Sequence, residues 1–228
     1  MKEYTRLEYI EADGNQWIDS DIKAGYNIRI FADFEYTKTS PLQQRLFGAT
    51  VDNNNTNLFC LDFYINGSGH YAWACSDGNG NWQGTSITAN TGRHTIDIDS
   101  RNGIVQMDEG VFYSYTMTTT RTKISSRNIY LFSTNYNTTG IVSSKNTYAK
   151  IYSCKIYDNG VLVRDFLPVK DNNGVCGLYD RVSGTFSPSQ GSSAFIGGSE
   201  IDTPLSFPYG FRRRLLSSCN SSESGIVR

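Results

Sequence analysis

The sequence is poor in the residues on which metal and nucleophile chemistry depend. Of 228 residues, two are histidine (His70 and His94) and five are cysteine, at 60, 75, 154, 176 and 219. No two cysteines have a CxxC spacing and no histidine stands at zinc-site distance from them, so zinc binding has no support. Five is an odd count for a closed disulfide framework, and the thiols read as mostly reduced, buried small residues. A Cys60–Cys75 pair across neighbouring strands is left open. Neither histidine has a recognisable Ser, Cys or Asp setting, and isolated histidines are ordinarily structural or solvated. An excess of one charge is lacking too: 21 basic and 22 acidic residues give −1. That balance offers no global field to nucleic acid or an acidic membrane. Long apolar runs are missing: MKEYTRLEYIEADG has no core of signal-peptide length, and no later stretch could span a bilayer. The chain reads as made and assembled in a cytoplasm.

What is present fits a β-rich protein. Hydrophobic residues are 38% and charged residues 19%, against about 45–50% and about 25% in typical domains. Gly, Ser, Thr, Asn and aromatics fill the gap, with 15 Tyr and 12 Phe. Short runs recur between turn-forming clusters, and no window of helix length keeps a 3.6 period. NIRIFADFEY (27–36) alternates Ile28, Ile30, Ala32 and Phe34 against Arg29, Phe31, Asp33 and Glu35. HYAWACS places Tyr71, Trp73 and Cys75 on one face and Ala72 and Ala74 on the other. YDNGVLV carries the clearest hairpin signal, because Asn159-Gly160 suits a type I′ turn. The many strands predict an all-β antiparallel sandwich. The opening LEYIEADGNQWIDSDI (7–22) reads the same way, as strand, turn at Asp13-Gly14-Asn15, and returning strand, with its acids solvent-facing or turn-forming.

That opening, together with AKIYSCKIYDNGVLVRDFLPV and GVCGLYDRVSGTFS near the other end, resembles laminin G-like, concanavalin-type jelly rolls. Such modules occur in gut-bacterial surface proteins and their phages. The resemblance covers about residues 4 to 197. It implies two packed antiparallel sheets with the N- and C-terminal strands close together, hence a jelly-roll sandwich over 1–197 and a C-terminal arm over 198–228. It does not fix function, because lectins, glycosidases, adhesion modules and virion parts share this fold.

Catalysis is not expected. Glycosidases need two carboxylates at a defined separation, and relatives on this fold carry them as Glu-x-Asp-x-x-Glu, which no segment here matches. Asp97 and Asp99 in TIDIDS alternate with Ile96 and Ile98 and read as the polar face of a strand. Asp19 and Asp21 share a face without a partner Glu. DGNGN (77–81) resembles a calcium loop, but the sixth position is Trp82 and the twelfth Thr88, so it reads as a turn. DNNN (52–55) is equally ambiguous. No cofactor is expected, although laminin G-like relatives often carry one rim calcium.

Carbohydrate binding has better support. Sugar sites combine flat aromatic faces with planar polar groups, and Tyr71, Trp73, Asp77, Asn79, Asn81 and Trp82 supply both kinds within a dozen residues. Against this stands a core role for Tyr71 and Trp73. The last segment differs in kind: Phe207, Tyr209, Phe211, Arg212, Arg213, Arg214, Leu215 and Leu216 mix arginines with apolar anchors, as interfaces do, and read as a partner-docking arm. The expected protein is therefore a non-catalytic decoration or fibre component of a phage virion. Its sandwich would be exposed to host glycans, and its arm would dock on other subunits, sister subunits included. The alternative is a free-standing lectin-like module of a bacterial surface or secreted protein. Nucleic acid and membrane insertion are not expected.

Overall fold

The computed structural model describes residues 4–50, 60–76, 82–114, 124–136, 140–141 and 147–202. In chain order its strands begin with β1 (Tyr4–Arg6), β2 (Ile10–Asp13), β3 (Ile18–Gly25), β4 (Ile28–Tyr36), β5 (Arg45–Thr50), β6 (Cys60–Ile65) and β7 (His70–Ser76). Then follow β8 (Trp82–Thr88), β9 (Arg93–Asp99), β10 (Ile104–Met107), β11 (Gly110–Ser114), β12 (Ile124–Leu131), β13 (Asn135–Tyr136) and β14 (Gly140–Ile141). The last are β15 (Tyr148–Asp158), β16 (Val161–Asp171), β17 (Cys176–Asp180), β18 (Thr185–Pro188) and β19 (Ile196–Gly197).

Two sheets pack face to face. The first runs β11-β10-β9-β4-β15-β16-β17-β18, with β1 on β16 and β2 bonded to both β15 and β19. The second runs β14-β13-β5-β6-β7-β8, with β12 on β5 and β3 on β12. Among the described residues the pairing is antiparallel apart from β13 beside β5. The expected two-sheet antiparallel sandwich is the observed one.

Period-2 alternation builds the core. Ile28, Ile30, Ala32, Phe34 and Tyr36 on β4 are all buried. They meet the second sheet through aromatic contacts: Phe34 sits edge-on to Phe63 at 5.5 Å, and Tyr36 stacks on Tyr71 at 6.3 Å. Such pairs add about 0.5–1.5 kcal/mol each beyond the area they bury. The predicted hairpin is present, with Asn159 and Gly160 at φ 50° and 80° between β15 and β16.

The opening segment departs from a simple strand–turn–strand. β2 belongs to the first sheet and β3 to the second, so the turn at Asp13–Asn15 carries the chain across the sandwich. Buried Gln16 holds that corner. Its amide nitrogen donates to Asp13 Oδ1 and the Ala194 carbonyl, both at 2.8 Å, and its oxygen accepts from the Asp13 and Asn15 N–H groups at 3.0 Å.

Residues 6–9 and 198–201 lie side by side, and the sheet continues past the expected boundary at 197. The N–H of Gly198 bonds to the Tyr9 carbonyl, that of Glu8 to Ser199, and that of Ile201 to Arg6, at 2.8–2.9 Å. The arm residues Phe207, Tyr209, Phe211, Arg212, Arg213, Arg214, Leu215 and Leu216 lie outside the described residues. Cys154 and Cys176 are buried free thiols. Cys60 stands opposite Ser76 and Cys75 opposite Leu61, so the two cysteines are one residue out of the register that a cross-strand pair requires. No helix among the described residues is long and apolar enough to cross a membrane.

Candidate functional site

The aromatics singled out in HYAWACS are core residues. Tyr71 is 0% and Trp73 2% exposed, and the Tyr71 ring contacts Phe34, Tyr36 and Phe63. Neither ring offers a face to a ligand, which corrects the binding reading for these two. Alternation could not tell the faces apart, since Ala72 and Ala74 on the other side are apolar and buried as well. Trp82 opens β8 opposite Ala74. Asp77, Asn79 and Asn81, like Asp52 to Asn55, lie outside the described residues. The acids of TIDIDS have structural work: Asp97 takes a two-pronged bond from Arg29, and Asp99 holds Asn102 in the following turn. Among the described residues no group of three or more His, Cys, Asp or Glu is arranged to hold a metal ion.

The structure instead brings the opening stretch to a cleft at the edge of the second sheet. β3 is its edge strand, and it bulges. Asp19 stands opposite Tyr130 and Lys23 opposite Asn128, so four steps of β3 run beside two steps of β12. Bulges re-aim side chains and end regular pairing. Within this one Asp21 adopts φ 57°, a left-handed conformation uncommon for a residue other than glycine. Side chains sustain it locally: Asp19 Oδ1 accepts the Asp21 N–H at 2.7 Å, and Ser20 Oγ accepts the Ile22 N–H at 3.2 Å. From the first sheet, Arg164 Nε donates to the Ser20 carbonyl at 2.9 Å, and its Nη2 lies 3.5 Å from Asp21. Asp21 is thereby turned outward, its side chain 86% exposed.

The cleft beside the bulge has a volume of about 350 Å³, within the range of small-ligand sites. Its apolar floor is Ile22 and Ile28, and its polar lining comes from Asp21, Lys23, Asn27, Asn128 and Asp158. Asn27 and Asp158 belong to the first sheet's side, so the cleft opens between the two layers. Gly25 also lines it. Asn128 Nδ2 donates to Asp19 Oδ2 at 3.3 Å, which joins the cleft to its neighbour along the edge, a pair of stacked rings. Trp17 and Tyr130 lie 4.5 Å apart, 30° from parallel, and both are half-buried. The Gln190 N–H donates to the Trp17 carbonyl, and the Asp19 N–H donates to Gln190 Oε1 at 3.3 Å, which fixes the approach to β3.

Charge is balanced here. Asp19, Asp21 and Asp158 are offset by Lys23, by Arg164 on Asp21, and by Arg127, whose field reaches Tyr130. Burial, and after it the Asp19 carboxylate, push the Tyr130 phenol above its usual range, so its hydroxyl remains a donor at neutral pH. An aromatic shelf, carboxylates, primary amides and an ammonium group, with no dominant sign, can hold a hydroxyl-rich neutral molecule. No protein-family model matches the chain, and no curated protein matches it.

Two other polar clusters are paired within the protein. On the outer face of the first sheet, Arg93 lies 3.6 Å over the Tyr152 ring and bonds Asp33 twice, at 2.8 and 2.7 Å. Tyr152 Oη and Lys150 Nζ share Glu35 at 2.7 and 2.9 Å. On the second sheet, Arg45 and Asp62 form a buried ion pair, and Arg45 lies 3.8 Å over Tyr64. These contacts tie neighbouring strands and occupy the groups that a ligand would need.

Proposed function

We propose that the protein is a non-catalytic recognition module that binds a glycan in the cleft between β3, β12 and the β15 end. One observation carries this reading: beside a bulged edge strand, a cleft lined by Asp21, Asn27, Asn128 and Asp158 adjoins Asp19 and the Trp17/Tyr130 stack. Sugar rings present C–H faces to aromatics and hydroxyls to carboxylates and amides, and both surfaces are built here. The resemblance of both chain ends to laminin G-like jelly rolls supports a place for the module in a larger assembly, a phage virion or a bacterial surface. The segment beyond Asp202 would then be its docking arm. Glycan binding is tested by calorimetric titration with linear neutral oligosaccharides. Trp17→Ala is expected to weaken binding by about 1–2 kcal/mol, as loss of an aromatic anchor does, and Asn128→Ala by about 1 kcal/mol. Unchanged affinity in both variants refutes the site.

A further inference from the structure

The layout of the cleft speaks to the size of the ligand, and the inference rests on the glycan reading above. Three recognition elements follow one another along the β3 edge. The Trp17/Tyr130 stack comes first, the Asp19–Asn128 pair second, and the pocket of Asp21, Lys23, Asn27 and Asp158 third. Tyr130 and Asn128 are two positions apart on β12, and Trp17, just before β3, lies a further two from Asp19. At about 3.3 Å per strand residue the row extends about 13 Å, a span of roughly three linked pyranose rings. Ile22 and Ile28 give the pocket its apolar lining, and Asn128 is shared between the pocket and the Asp19 carboxylate, next to the stack. The pieces are rigid before binding: Asn128 holds Asp19, Arg164 holds the bulge, and the two rings hold each other. Pre-set groups lower the ordering cost of each ring bound.

We propose that the site recognises an internal stretch of a linear, uncharged oligosaccharide, about three units long, lying along the edge of the second sheet, and not a single terminal sugar. The pocket holds one ring through Asp21, Asn27 and Asp158. The next ring spans Asn128 and Asp19. The third stacks on Trp17.

The test is a length series. Full-length protein is titrated with linear gluco-, manno- and galacto-oligosaccharides of one to six units, with Trp17→Ala and Asp158→Asn alongside. For the series that binds, affinity should rise at least tenfold from one unit to three and change less than twofold from four to six. Trp17→Ala should remove the gain of the third unit. Asp158→Asn should weaken one unit and three units by the same factor, fivefold or more. Trp17→Phe, which keeps a ring on Tyr130, should retain most of the length dependence and shows that a loss in Trp17→Ala is not misfolding. A flat profile from one to six units, or one still climbing at six, overturns the three-ring site while leaving glycan binding intact. Failure of every series to bind overturns both.

Discussion

Asp21 is solvent-facing and turn-forming, as the sequence suggests, but its setting is not local. In WIDSDI its carboxylate looks like one of several solvent-facing acids, since period-2 alternation explains it without any chemistry. Its left-handed backbone and its place in a cleft depend on Asp19, Ser20 and Arg164, and Arg164 is far away in sequence. Asn128 and Asp158 complete the cleft from other distant segments, and Asn27 from the turn just after β3. The only local sign was the Asp-Ser-Asp run itself, because short polar side chains bond nearby N–H groups and favour bulges and turns. Two predictions belong to this scale. Gly48 faces the buried Asp62, and a Cβ there would lie 2.9 Å from the Leu61 carbonyl oxygen as well as against the Asp62 carboxylate. Gly48→Ala should therefore cost about 1–3 kcal/mol, the usual penalty for overpacking, read as a lower urea midpoint. The second concerns Glu35. Burial draws its carboxyl upward, but the bonds from Lys150 and Tyr152 outweigh burial and hold it below the usual value. The stabilisation is therefore fully present above the unfolded pKa, about 4.3, and is lost as pH falls through the lower folded value. Urea midpoints measured against pH should show Glu35→Gln less stable than the parent above pH 5, by under about 1 kcal/mol, with the difference closing in acid.

Among the elements, those with local turn chemistry were the ones sequence could place. Asn159-Gly160 gave the β15–β16 hairpin because both residues accept positive φ, as found. A Cβ on Gly160 would meet nothing within 4 Å, so Gly160→Ala isolates the backbone cost, about 1–2 kcal/mol for a left-handed non-glycine residue. An unchanged thermal midpoint would mean that the turn is not held in this form. The opening strands were placed correctly as strands but not in their sheets, since the crossing at Gln16 relies on the Ala194 carbonyl. The β3 bulge has a second consequence at this scale. It breaks the regular edge of the second sheet, and bulged edges resist pairing with other chains. Deleting Ser20 and Asp21 should flatten the edge, abolish glycan binding and promote aggregation, seen by light scattering.

For the whole molecule, composition and turn spacing sufficed for the sandwich, while the identity of its binding face required the tertiary structure. The pairing of residues 198–201 with residues 6–9 places the start of the expected arm within the sheet. A chain ending at Asp202 should therefore fold, whereas one ending at Gly197 loses the Gly198, Ser199 and Ile201 bonds and should be less stable by about 1–3 kcal/mol. If the segment beyond Asp202 docks on sister subunits, light scattering should find an oligomer for the full chain and a monomer for the chain ending there. Equal masses would contradict self-docking. The central claim, that the β3 edge is a glycan site, is tested most directly by mapping amide shifts during titration with a neutral linear trisaccharide. Saturable changes should centre on Asp19 to Lys23, Asn27, Asn128, Tyr130 and Asp158. Saturable changes centred elsewhere, such as on the β7–β8 end, or none at millimolar sugar, would contradict it.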